Sequence, residues 1–112
     1  RVMNIIGDVK GKTCIIVDDI IDSGGTIVNA VTALKKSGAE DVYVFTTHGV
    51  LSGEAVKKIQ SSKIKKLVIT DSIDNSKKIK NHSKIEVLSI SNLMAEAIKR
   101  ISNSTSVSDL FN

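Results

Sequence analysis

Ile15-Ile16-Val17-Asp18-Asp19-Ile20-Ile21-Asp22-Ser23-Gly24-Gly25-Thr26 is the stretch on which the reading of this chain turns. An apolar run ends in two adjacent carboxylates. A short loop of Asp, Ser and paired Gly follows, and an amphipathic segment opens at Thr26. The order reads as strand, acidic rim, loop and helix N-terminus. Free backbone N–H groups and the positive end of a helix dipole suit a phosphate. The acid pair suits sugar hydroxyls, or the metal that accompanies phosphate. Gly24 and Gly25 allow positive φ and a close approach of backbone to ligand, and Ser23 and Thr26 add hydroxyl donors. Asp22 is unfavourable beside a phosphate and is expected to brace the loop. A sugar phosphate satisfies both halves. The plainer alternative is a βα turn with a Thr cap, and the acid pair just upstream weighs against it. Neither the Gly-rich cradle for nucleoside triphosphates nor the three-glycine dinucleotide fingerprint occurs here.

The neighbouring elements fit that reading. Cys14 to Val17 is continuously apolar, as expected for a parallel strand covered on both faces, and ligands of open α/β sheets bind at the C-terminal ends of such strands. Alternation places Asp18 and Asp19 on opposite faces, so one carboxylate is expected in the ligand crevice. After the loop, Ile27, Ala30, Val31 and Leu34 follow helical spacing, Lys35 and Lys36 suit a last turn, and Gly38 suits the position just past it. Strands are expected at Asp41–Thr46, Lys66–Thr70 and Ile85–Ser89. A second helix is expected to be capped near Ser52 with Val56 and Ile59 inward. A third is capped by Ser91, with Met94, Ala97, Ile98 and Ile101 as its stripe. Upstream, Val2–Val9 and the run from Thr13 flank Lys10-Gly11-Lys12, which reads as a hairpin with an antiparallel edge strand. The chain opens mid-element, which suggests a fragment. The expected architecture is α/β, a mostly parallel sheet with helices on both faces, spanning residues 1–103, with a Ser-rich tail at 104–112.

Two further residues stand at strand ends, His48 and Asp71. Either can reach a ligand, and either can be purely structural. His82, in a polar Lys-rich loop, carries no specific expectation. The 112 residues suffice for one core. The formal charge of +4 comes mostly from lysines between Lys57 and Lys84, scattered without aromatic interleaving. With 3% aromatic residues a stacking platform for nucleic acid is not expected, and the lysines read as a solvated face. One cysteine, Cys14, excludes an intrachain disulfide and reads as a small buried hydrophobe. No apolar run approaches spanning length and no signal peptide opens the chain, so no membrane partner is expected and a cytoplasmic setting is the default.

The segment from Val17 to Ile27 resembles the phosphoribosyl-binding signature of the type I phosphoribosyltransferase fold. Val9-Lys10-Gly11-Lys12, Thr47-His48-Gly49-Val50-Leu51-Ser52-Gly53 and Ser106-Val107-Ser108 with Leu110-Phe111 narrow the match. Together they resemble the C-terminal part of the ribose-phosphate diphosphokinase family, over essentially all of the chain. The resemblance implies transfer of the β,γ-diphosphoryl group of ATP to the 1-hydroxyl of ribose 5-phosphate with Mg2+, in an oligomer. It implies that Asp22, Ser23, Gly24, Gly25 and Thr26 hold the sugar's phosphate, and that Asp18 and Asp19 engage ribose hydroxyls or metal. It also implies a regulatory anion site at Ser106, Ser108 and Phe111. A catalytic Lys/Arg loop lies upstream of the matched segment in that family, so the chain alone is expected to be nearly inactive. Rival readings are an ordinary phosphoribosyltransferase, a non-catalytic regulatory subunit, and a signalling receiver domain phosphorylated on Asp71. The Gly-Gly-Thr loop has no role in a receiver.

Overall fold

A computed structural model of the chain describes residues 9–80 and 82–102. Seven elements alternate: β1 (Cys14–Ile21), α1 (Gly25–Lys36), β2 (Val42–Gly49), α2 (Ala55–Ser61), β3 (Lys66–Thr70), β4 (Ile85–Leu88) and α3 (Ile90–Ser102). The four strands form one sheet in the order β1-β2-β3-β4, and every pair is parallel. All four C-terminal ends therefore share one rim, and the loops that leave it are neighbours. The turn at Lys10-Gly11 forms as expected, with the Lys12 N–H donating to the Val9 carbonyl at 3.0 Å. The edge strand read from Val2 onward lies outside the described residues, as do Ser106, Ser108 and Phe111.

The core occupies one face of the sheet. Ile16, Val44, Leu67 and Ile85 stand in register across the four strands, and Ile69 follows two positions on. Ile27 and Val31 of α1 and Ala55 and Ile59 of α2 close over them in a single buried cluster. Strands laid down in consecutive order with crossovers of one hand put successive helices on the same face. The expectation that β1 is covered on both faces is therefore corrected: Ile15 and Val17, pointing the other way, are 68% and 73% exposed. On α3, Met94, Ile98 and Ile101 form the expected stripe, and they too are exposed.

Three boundaries differ from the sequence reading, each because a different bond takes the place of the expected one. β1 does not stop at Val17. Asp18, Ile20 and Ile21 continue to pair with Thr46, His48 and Gly49 of β2, so the acid pair lies within the strand. Helix α2 has Glu54 at its N-cap, because the Ser52 hydroxyl is used elsewhere. Helix α3 begins one residue before Ser91. Its cap is the Ser89 hydroxyl, which accepts the Asn92 N–H at 3.2 Å.

Candidate functional site

The site is built where β1 hands over to α1. A cavity of about 220 Å³ opens there, lined by Asp18, Ile20, Ile21, Asp22, Ser23, Gly24, Thr26 and Ile27. Alternation along β1 separates the two acids. Asp18 is half-buried and lines the cavity, while Asp19 is exposed and does not. The Asp19 N–H donates to Asp18 Oδ1 at 2.8 Å, which fixes the orientation of the Asp18 carboxylate.

The two glycines do different things. Gly24 is the N-cap of α1 and adopts φ 85°, a left-handed conformation that glycine takes at no steric cost. Gly25 is already helical, so only one of the pair meets the expected need for positive φ. The first bond of the helix runs from the Val28 N–H to the Gly24 carbonyl at 2.9 Å. No side chain caps this end, and the first turn carries no acid. Its N–H groups have no carbonyl one turn back within the helix, and they stand beside Ser23 and Thr26, both exposed at the cavity. The resulting chemistry is one carboxylate, two hydroxyls and the positive end of a three-turn helix around one space. It suits an anion that also carries hydroxyls.

Asp22 braces the loop. Its Oδ1 accepts the Ser52 hydroxyl at 2.5 Å and its carbonyl accepts the Ser52 N–H at 3.0 Å. The turn after β2 is thus bound to the turn after β1. Gly49, which ends β2, has no room for a side chain: a Cβ there would lie 2.8 Å from Ile69 Cδ1.

His48 and Asp71 do not join the cavity. The His48 Nδ1 lies 2.9 Å from the Ser72 hydroxyl, linking the ends of β2 and β3. Asp71 Oδ1 accepts the Ile90 N–H at 2.8 Å, fastening the end of β3 to the start of α3. That bond explains the acid at this position without a ligand. Cys14 is half-buried and packs against the core, and its Sγ lies 3.9 Å from the Lys12 carbonyl.

The sequence reading missed what the 73–83 segment does. Asn75, expected in a surface loop, is buried and donates to the Gly49 carbonyl at 2.6 Å. Lys78 donates to the Val50 carbonyl at 3.1 Å, and Lys84 to the Ser62 carbonyl at 2.5 Å. The expected solvated face holds for most of these lysines, which are exposed, but Lys78 and Lys84 also fasten backbone turns. Beside Asn75, Asp74 Oδ1 accepts the Ser76 N–H at 3.0 Å, and this bond, with the Ser76 hydroxyl, holds its carboxyl below the usual range. A Lys reaching a carbonyl more than twenty residues away leaves no local pattern from which to infer it.

Comparison with known proteins agrees with the fold. The family model described as the phosphoribosyl synthetase-associated domain matches residues 1–112. The chain belongs to this family. A ribose-phosphate pyrophosphokinase of Brucella melitensis is 57% identical over 111 residues, which cover 99% of this chain and 36% of that protein. One from Vibrio cholerae is 50% identical over 112 residues, 100% of this chain and 36% of that protein. Among solved structures, the phosphoribosylpyrophosphate synthetase of Mycobacterium smegmatis superimposes with a TM-score of 0.75 at 40% identity. That match covers 88% of this chain and 33% of the other. The chain thus spans about a third of the length of the curated relatives it matches. The narrower expectation, placement in the C-terminal part of such an enzyme, is not upheld by these matches. They carry the family and the covered share, and no assignment to that end.

Among the described residues no helix is long and apolar enough to cross a membrane. No group of three His, Cys, Asp or Glu among them is arranged to hold a metal ion.

Proposed function

We propose that this chain supplies the ribose 5-phosphate site of a ribose-phosphate diphosphokinase. The observation that carries the reading is the convergence, on one cavity, of Asp18, the Ser23 and Thr26 hydroxyls and the uncapped start of α1. The phosphate of the sugar seats on the N–H groups from Gly24 to Ile27 and on the two hydroxyls. The ribose hydroxyls donate to Asp18, while Asp19 stays on the opposite face of β1 and orients Asp18 through its N–H. Asp22 stays in its bond to Ser52 and keeps the loop in shape. Held in this way, the sugar presents its 1-hydroxyl to the β,γ-diphosphoryl group of ATP, and positioning is this chain's contribution to the transfer.

Mg2+ enters as a proposal of the same kind. When bound, it neutralises charge on the transferring phosphoryl oxygens. Such an ion is commonly held by one or two carboxylates together with substrate oxygens rather than by an all-protein cage. Asp18, which lines the cavity, fits that limited role; Asp19, turned to the opposite face of β1, does not, and the described residues offer no fuller ligand set. ATP binding, a homo-oligomeric assembly and a cytoplasmic setting belong to the proposal for the whole enzyme. The charged loop that stabilises the transferring group is assigned to polypeptide outside this chain. On that basis the isolated chain binds sugar phosphate and turns over almost none.

Calorimetric titration with ribose 5-phosphate, with and without Mg2+, tests the reading beside Gly25→Val. The contact a Cβ at Gly25 makes with other side chains is the Ser23 hydroxyl at 3.9 Å, beside the cavity and away from the core. Binding by the parent that the folded variant loses is the expected result. A folded parent chain that does not bind the sugar phosphate sinks the proposal.

A further inference from the structure

The geometry points to Lys78, seconded by Asn75, as a positioning residue for the sugar-phosphate loop; the inference rests on the function proposed above. The starting point is Leu51. It sits at φ 53°, the left-handed region that a bulky side chain rarely enters, and it is 1% exposed. Such a residue persists where its surroundings over-determine it, and strain of this kind gathers near functional sites.

Here the turn is clamped from two sides. Facing β1, the N–H groups of Val50 and Leu51 both donate to the Ile21 carbonyl, at 2.9 and 3.3 Å. Facing the 73–80 segment, the Lys78 ammonium donates to the carbonyls of Val50 and Leu51, at 3.1 and 3.4 Å. Asn75 Nδ2 holds the preceding Gly49 carbonyl at 2.6 Å. The residue that follows the strained one is Ser52, which grips Asp22 through both its N–H and its hydroxyl. Asp22 is contiguous with Ser23 and Gly24 at the cavity. Lys78 is itself exposed, yet its charged ammonium bonds the carbonyls of both residues at the strained turn, so it is the clamp on the outer side. From Lys78 to Asp22 every link is a named hydrogen bond or a peptide bond, and Lys78 itself does not line the cavity.

Lys78→Met keeps the alkyl stem and removes the donor, while Lys78→Arg restores a cation that can bond two carbonyls. Two readouts are needed. One is calorimetry with ribose 5-phosphate. The other is amide hydrogen exchange without ligand, comparing residues 20–27 with β3 as an internal reference. Lys78→Met is expected to weaken binding about tenfold, the low end for a group that orients a binding residue, with Lys78→Arg within about threefold of the parent. Exchange should quicken over residues 20–27 and not over β3. Unchanged affinity in Lys78→Met overturns the inference. So does a rise in exchange shared equally by β3, which would mean general loosening. If the folded parent does not bind ribose 5-phosphate, the function proposed above fails. The exchange result then decides the clamp alone: confined quickening upholds it, and none overturns it.

Discussion

On one face of the sheet Val44, Leu67 and Ile69 lie beneath α1 and α2, none more than 1% exposed; on the other face Ile15 and Val17 are more than two-thirds exposed. Both faces carry aliphatic residues on β1, although the open face also holds Tyr43, Phe45, Lys66 and Glu86 on the other strands, and the strands alternate between the two. What differs is the covering layer, so apolar sequence and buried surface are separate quantities along one strand. The candidate site belongs to the covered side. Ile21 and Ile27, which line the cavity, are members of the buried cluster, so the loop between them is hung from the core at both ends. Ile15 and Val17 belong to neither the cavity nor its clamp.

If this comparison holds, substitutions should sort by face. The largest effect is expected from Leu67→Ala. It empties a fully buried position in the row that joins all four strands, at a cost of about 2–5 kcal/mol. Urea denaturation measures it, and a cost under 1 kcal/mol would mean that the core is not where the buried row places it. Next comes Gly49→Ala. The added Cβ would approach three atoms of Ile69, at 2.8, 3.2 and 3.3 Å. The terminal methyl can swing away but the Ile69 Cβ cannot, so overpacking of about 1–3 kcal/mol is expected. Gly49 also carries the carbonyl held by Asn75, so under the proposed function ribose 5-phosphate affinity should fall with stability in this variant.

Gly24→Ala isolates backbone conformation from packing. The nearest atom to the new Cβ would be the Ala55 carbonyl oxygen at 3.7 Å, an ordinary contact, so the cost comes from φ 85° alone. About 1 kcal/mol of stability should be lost. Binding should suffer more than stability does, because α1 cannot begin at the same angle. Thermal unfolding and calorimetry on the same sample separate the two. A variant that loses stability but keeps its affinity would show that the left-handed cap serves the fold and not the ligand.

Much of this was legible in the chain itself. Alternating strand and helix patterns with short connections determine a parallel α/β sheet, and Gly38 just past α1, at φ 94°, behaves as its position implies. The β1–α1 loop was legible because all its parts are adjacent in sequence. The continuation of β1 through Asp18 and Asp19 was not. Two acids look like an ending, and only the partner strand, with Thr46, His48 and Gly49 in register, keeps them extended. Ser52 looked like a helix cap because its other partner, Asp22, is thirty residues away. Asn75, Lys78 and Lys84 were opaque for the same reason: a polar side chain bonding a distant carbonyl has no periodicity to reveal it. The open face was misread because Ile-Ile-Val supplies the apolar residues for two covered faces, and whether both are covered depends on which helices follow and on which side they land.

The smallest effect is the most pointed test of the comparison. Val17→Thr keeps the β-branch and the strand propensity while replacing a methyl by a hydroxyl. At a position already 73% in water the hydroxyl needs no partner, so the change should lie within about 0.5 kcal/mol. Ile15→Thr, on the open face, and Ile16→Thr, half-buried and packed against the core, make the matched pair beside it, and Ile16→Thr should cost clearly more than either open-face variant. The midpoints come from one urea series. If Val17→Thr proves as costly as Ile16→Thr, then Val17 is covered in solution, and the contrast between the faces fails where it was drawn most sharply. If the two separate as expected, the stability of this chain rests on one side of its sheet. The β1–α1 loop, hung from that same side, should then loosen in proportion when the core beneath it is weakened.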